Sequence, residues 1–390
     1  MPSSTGMTGV AVFAAVLVLA TLLSGRAART AYSNNALFIG AGLLAGSLGL
    51  VAPTSAWSLR EVADLALFTT LFSAGTQLSP RALRQGWRLP SRALLIALPL
   101  TAALSAAFAH VLLGIDWLSA LLVGAVLSPT DPVFASALVE RKSVPLQLRR
   151  LLNVESGLND GLAFPLVVGL LIWAGASHRT AADLLLEIVL GPVVGIGLAL
   201  ACLALRRLAC PAMPPPFGSL FIVAIGLAVL ACARLSAANE YLAAFSAGIV
   251  LARQTATRDE FDGLAAQATE LLKFAALLLF GSMISIGDLL EVGWTGAVFA
   301  GAVLLVARPV AILLALWRSD LPMPERAMAA WFGPKGFASV VYAMLVLHSQ
   351  VDGSRQLFRL LATVVVISVL AHSSTAVASA QWFKHRRNGG

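Results

Sequence analysis

Apolar positions along this chain run in unbroken stretches instead of alternating with polar ones. The stretches lie at about residues 8–24, 35–52, 60–78, 92–113, 117–139, 149–173, 182–208, 219–234, 240–252, 271–287, 294–317, 326–347 and 357–380. Most can cross roughly 30 Å of hydrocarbon, which takes about 20 helical residues. Barrel strands would alternate and be about half as long. The pattern predicts an all-α polytopic membrane protein, one membrane domain over residues 1–390 with about thirteen transmembrane helices. The ninth stretch, 240–252, is the shortest. The first precedes an Arg-bearing loop with no basic residue before it, and reads as a retained helix.

Two stretches are interrupted. Span five carries Ser128-Pro129-Thr130-Asp131-Pro132, and span twelve carries Gly333-Pro334-Lys335-Gly336. Proline in a helix removes a donor and displaces the preceding turn, so both helices should break. The breaks are seven spans apart and enter the membrane from opposite sides. Paired broken helices in the two halves of a transporter mark inverted repeats with a site near the midplane. The repeat is not visible as sequence identity at this level of reading. The proline-rich stretch Pro211–Pro216 reads as a loop between them.

Composition supports a membrane protein: 58% of the 390 residues are hydrophobic and 12% charged, with a mean hydropathy of +0.86. A net charge of +8 would suit a nucleic-acid partner, but its distribution does not. With the tail Lys384-His385-Arg386-Arg387 in the cytoplasm, the odd span count puts the N-terminus outside. The inner loops then hold most of the Lys and Arg, among them Arg81, Arg84, Arg88, Arg141, Lys142, Arg149 and Arg150. The outer side holds Arg60, Arg179, Arg234, Arg355 and Arg359. This asymmetry orients membrane proteins. Every loop is short, the C-terminal tail is about ten residues with no regulatory domain, and no phosphate-binding glycine loop is present. Uphill transport would be driven by an ion gradient, with no cofactor.

Charged groups at membrane depth cost roughly 2.5–3.5 kcal/mol each on insertion scales and mark ion paths by default. Asp131 and Asp160 are such groups. In span six, Ser156 and Asp160 are four apart on one helix face, and Glu155 and Asn159 share the adjacent one. Hard cations take oxygen ligands: carboxylate, hydroxyl and carbonyl. Thr130 and Asp131 at the span-five break add a freed carbonyl and a second carboxylate. Asn159 and Ser156 could equally tie helices together. Glu155 lies nearer the cytoplasmic end and suits a structural pair with Arg308 or Lys335. Arg308, before Pro309, needs an acid or freed carbonyls. Lys335 sits where helix ends expose partial charge. The histidines His110, His178, His348, His372 and His385 read as interfacial or loop residues. Cys202, Cys210 and Cys232 read as small hydrophobes.

The tract SPTDPVFASALVERKSVPLQLRRLLNVESGLNDG, with RPVAI and WFGPKGFASVVYAMLVL, resembles bacterial Na+/H+ antiporters of the monovalent cation:proton antiporter-1 (NhaP-like) group. The resemblance covers the whole chain. It implies a secondary transporter of the bacterial inner membrane, serving pH homeostasis, and not an enzyme. Asp160 would carry the proton and bind the cation, and Asp131, Ser156 and Thr130 would complete the Na+ site. Asn159 would hold the unwound crossing, and Glu155 would pair with Arg308. Residues 92–173 and 294–380 would form a transport core, 1–78 and 219–287 a homodimerisation unit, and 182–208 a linking helix. The pair Asn159-Asp160 implies electroneutral exchange of one cation for one proton. Thr76 and Gln77 stand where many relatives carry an acid, and Lys335 where Arg is common, which keeps the charge without the forked geometry. The same residues admit a K+/H+ or broader monovalent cation exchanger. A distant alternative is an intramembrane hydrolase using Asp131 and Asp160 as a catalytic pair. No role falls to nucleic acid; the partners implied are a monovalent cation, protons and the lipid bilayer.

Overall fold

The computed structural model describes residues 4–27, 34–51, 56–77, 87–131, 144–175, 180–209, 215–252 and 264–388. They are helical throughout their ordered elements. In order these are α1 (Ser4–Ala27), α2 (Asn34–Ser47), α3 (Ala56–Gln77), α4 (Arg88–Leu113), α5 (Trp117–Val126), α6 (Leu146–Trp173) and α7 (Ala181–Ala209). There follow α8 (Pro215–Leu235), α9 (Glu240–Leu251), α10 (Leu264–Ser282), α11 (Ile286–Ala315), α12 (Met323–Trp331), α13 (Phe337–Leu347) and α14 (Ser354–Asn388). Six of these contain stretches long and apolar enough to cross a bilayer: α4, α6, α7, α8, α11 and α14. The remainder of span five after Asp131 lies outside the described residues, as do Arg81, Arg84, Arg141, Lys142, His178 and Cys210.

Both interrupted spans are interrupted. Span five stops as a helix at Val126 and is extended by Asp131, and span twelve divides into α12 and α13 around residues 332–336. Two helix starts among the boundaries that differ from the hydropathy pattern are informative. The tenth helix begins at Leu264, and the eleventh at Ile286 instead of about 294. The start of α11 is polar but locally satisfied: Ser285 caps Asp288 N–H while the Asp288 carboxylate accepts from Ser285 N–H. This reciprocal cap stabilises a first turn that hydropathy alone leaves out. Gly293 then departs from helical backbone with φ of 66°, at the point where the apolar run begins.

The chain divides into two compact units. One comprises residues 1–61, 88–177 and 274–390; the other comprises 62–87 and 178–273. In the second unit, α3 and α9 meet backbone to backbone. A side chain at Gly75 would strike Phe245 and Gly248, and one at Gly248 would strike Phe72 and Gly75. Small residues permit such approach where lipid gives no hydrophobic drive between helices. At one end of the same unit, the Tyr241 hydroxyl donates to the Asp64 carboxylate (2.8 Å) and Arg234 pairs with Glu240 (2.6 Å).

The first unit contains a repeat that hydropathy does not reveal. The heptapeptides Ala93-Leu94-Leu95-Ile96-Ala97-Leu98-Pro99 and Val303-Leu304-Leu305-Val306-Ala307-Arg308-Pro309 align residue for residue. Each forms a π-helical turn, in which Leu98 N–H reaches Ala93 O and Arg308 N–H reaches Val303 O, five residues back. A wide turn of this kind accommodates the proline that follows. Burial repeats as well: the third and fourth positions are exposed (Leu95 74%, Leu305 61%) and their neighbours buried. The π turn of each helix packs against the regular helix that follows the other's π turn, so α4 and α11 cross antiparallel. The expectation that the halves share no visible identity is therefore corrected. The spacing of a proline turn, too short for a hydropathy window to register, carries it.

Candidate ion-exchange site

The two breaks face each other inside the first unit. Asp131 N–H donates to Pro334 O (2.9 Å), and Phe337 N–H, at the start of α13, donates to the Asp131 carboxylate (2.8 Å). Asp131 thus caps the positive end of α13. At the other break, the negative end of α5 is covered. The Ser128 hydroxyl donates to Ala125 O and the Ser339 hydroxyl to Val126 O, each at 2.8 Å. The Lys335 ammonium lies 3.5 Å from Ser128 O and 3.4 Å from Pro129 O. The end of α5 and the start of α13 therefore each meet the charge that suits the dipole there.

Glycine is required on both sides of Pro334-Lys335. A methyl group on Gly336 would overlap the Asp131 carboxylate, and one on Gly333 would overlap the Arg308 guanidinium. Arg308 and Glu155 are 2% exposed and joined by one hydrogen bond, Nη1 to Oε1 at 2.6 Å. Glu155 Oε2 and Arg308 Nη2 have no partner among the described residues.

Span six supplies the rest. Asn159 Nδ2 donates to Thr130 Oγ1 (2.7 Å), and Ser156 Oγ lies 3.4 Å from the same hydroxyl. Asp160 is 4% exposed, and its Oδ1 has no hydrogen-bond partner among the described residues; neither has Asn159 Oδ1. Asp131 is near enough for its charge to act on Asp160. Five residues on, Pro165 interrupts the ladder of α6. The fully buried Tyr342 of α13 donates its hydroxyl to Asp160 O.

The fold thus gathers Thr130, Asp131, Glu155, Ser156, Asn159, Asp160, Arg308 and Lys335 around the two breaks. Thr76 is buried on α3 and donates to Ser73 O (2.7 Å), and the side chain of Gln77 lies outside the description. Tyr342 and Ser368 went unremarked in sequence, and His372 was read there as an interfacial or loop residue. His372 is not interfacial but 1% exposed, inside α14. A histidine four residues after a serine in the last span was the available signal.

The model of the family described as "Sodium/hydrogen exchanger, transmembrane" matches residues 11–382. The chain belongs to this sodium/hydrogen exchanger family. It is accordingly a multi-pass membrane protein. Relatives include the K(+)/H(+) antiporter NhaP of Alkalimonas amylolytica, 25% identical over 388 residues that make up 95% of this chain and 65% of that protein. The K(+)/H(+) antiporter NhaP2 of Shewanella sp. (strain MR-4) is 26% identical over 386 residues, 95% of this chain and 66% of that protein. The chain spans about two thirds of the length of these curated relatives. The structure of the sodium proton antiporter MjNhaP1 from Methanocaldococcus jannaschii at pH 8 superposes with a TM-score of 0.81 at 18% identity, covering 97% of this chain and 99% of that one. That likeness carries the fold, an all-helical membrane protein.

Proposed function

We propose that this exchanger is a secondary active antiporter that moves a monovalent cation against protons through one buried carboxylate, Asp160. The observation that carries the reading is the buried Oδ1 of Asp160, without a hydrogen-bond partner among the described residues, next in sequence to Asn159, whose Oδ1 likewise has none and whose Nδ2 donates to the Thr130 hydroxyl. Buried polar atoms are ordinarily satisfied, and ionisable groups at membrane depth mark ion paths. Carboxylate, hydroxyl and amide oxygens match a hard monovalent cation. The ligands are Asp160, Asp131, Ser156 and Thr130. A proton and a cation cannot share the Asp160 carboxylate, so loading one releases the other. If only loaded states reorient, that competition enforces exchange, one cation for one proton.

The cargo in this proposal is Na+ or Li+. A second reading, K+, is favoured by the names of the two bacterial relatives. The proposal includes a transport core of residues 92–173 and 294–380, a homodimerisation unit of 1–78 and 219–287, and 182–208 as the linking helix. It places the protein in the bacterial inner membrane, N-terminus outside and C-terminus in the cytoplasm.

The test is dissipation of an imposed pH gradient in reconstituted vesicles on adding Na+, Li+ or K+, wild type beside Asp160→Ala. Wild type should respond, and Asp160→Ala, purified as a folded protein, should not. Wild-type rates in the variant would remove the role given to Asp160. A membrane potential generated during turnover would exclude one-for-one exchange.

A further inference from the structure

The internal repeat extends to the helices that flank the breaks. Arg150-Leu151-Leu152 of α6 matches Arg359-Leu360-Leu361 of α14, and seven residues beyond each stand Asn159 and Ser368. Pro129-Thr130 and Pro334-Lys335 match likewise. The contacts correspond: Asn159 Nδ2 donates to the Thr130 hydroxyl at the first break, and Lys335 N–H donates to the Ser368 hydroxyl (2.7 Å) at the second. Ser368 is thus the second half's counterpart of Asn159.

One turn along α14, His372 adds what the first half lacks. Its Nδ1 lies 2.8 Å from Ser368 O and 3.2 Å from Ser368 Oγ, and its Nε2 lies 3.0 Å from Trp331 O. Trp331 is the last residue of α12, so its carbonyl belongs to the negative end of a half-helix. The ring is stacked on Trp331 at 5.0 Å and faces Phe332 edge-on. Each ring nitrogen therefore has a main-chain carbonyl beside it. A neutral imidazole has one N–H and can serve one of them; an imidazolium donates to both. In the neutral ring with the proton on Nε2, Nδ1 instead accepts from the Ser368 hydroxyl, which itself accepts from Lys335 N–H.

We infer that His372 is a positioning residue for the exchange reaction, a second proton-binding group whose charge state resets the Ser368 clamp on the span-twelve break. The inference rests on the antiport reading above. The groups that bear on the ring's charge are few. Lys335 in the break and Arg308 of α11 are the cations acting on it, and Arg308 is paired with Glu155 of α6. On α12, Glu325 and Arg326 lie more than one turn before Trp331, with Arg326 bound to Ser319 O and Leu321 O. On α11, Asp288 and Glu291 are bound to Arg359, over three turns along α14 from His372. Helices α2, α5 and α13 contribute no charged side chain to the packing. The ring thus has a main-chain carbonyl at each nitrogen, with Lys335 and Arg308 as the cations that act on it.

Two readouts test this. In purified wild type, emission of Trp331, isolated as the difference from Trp331→Phe, should change with pH as the stacked ring gains charge. His372→Gln should abolish the change. In vesicles, wild-type apparent cation affinity should change by more than about tenfold per pH unit where two coupled protons titrate together, and by about tenfold in His372→Gln, where one remains. Ser368→Ala should keep the Trp331 signal and lose the steeper slope, because the ring remains and its link to Lys335 is cut. A pH-independent Trp331 signal, or superimposable affinity profiles for wild type and His372→Gln, would overturn the inference. Absence of exchange by wild type, with the Trp331 signal intact, would count against the antiport reading and leave the proton-binding group standing.

Discussion

The two broken helices differ in what completes them. The second break carries the protein's own cation to the first: Lys335 is fully buried, its ammonium turned to the Ser128 and Pro129 carbonyls, while its N–H is bound to Ser368. At the first break the matching position is Thr130, and Asp160 Oδ1 and Glu155 Oε2 nearby have no hydrogen-bond partner among the described residues. One half of the repeat contributes a tethered charge, and the other contributes the acids at which the proposal puts a mobile one. Duplicated architecture can thus place a permanent ion opposite an exchangeable one, so that a single site loads and unloads while its counterpart holds the crossing together.

The largest test of that comparison removes the support beneath the second break. Glu155→Gln leaves Arg308 charged, buried and unpaired, and should cost about 3–5 kcal/mol. Thermal unfolding in detergent would read it, and Glu155→Gln combined with Arg308→Met should recover much of the loss. If the single variant melts like wild type, the pair is not what braces the second break. Next is Gly336→Ala. Its methyl group meets the Asp131 carboxylate, and overpacking of this kind costs about 1–3 kcal/mol. Exchange rates should fall by about tenfold or more while Gly301→Ala, with open space around it, stays near wild type. Smallest is Asn159→Ala, which removes one hydrogen bond to Thr130, about 1 kcal/mol. Apparent cation affinity should weaken by about fivefold, and Ser368→Ala should instead alter its pH dependence.

Much of the fold was legible because lipid makes hydropathy a direct record of helices. Both interruptions were legible because proline cannot continue a ladder. The start of α11 was not, since hydropathy does not score the reciprocal cap between Ser285 and Asp288, and Arg359, which meets Asp288 and Glu291, lies some seventy residues away. In the candidate site, the acids declared themselves by type. Asp131's second duty, capping α13, did not, because it depends on where a main-chain N–H from a residue 206 positions away arrives. His372 and Tyr342 escaped for the same reason: their partners are the carbonyls of Trp331, Ser368 and Asp160, which carry no side-chain signature.

The paired π turns fix the rotational phase of everything beyond them. Each α-helical residue advances about 100° around the axis, so shortening Val303–Ala307 by a single amino acid would swing the Arg308 guanidinium roughly a quarter-turn away from Glu155. The same deletion in Ala93–Ala97 would turn a leucine, not a charge, and the molecule should forgive it far more readily.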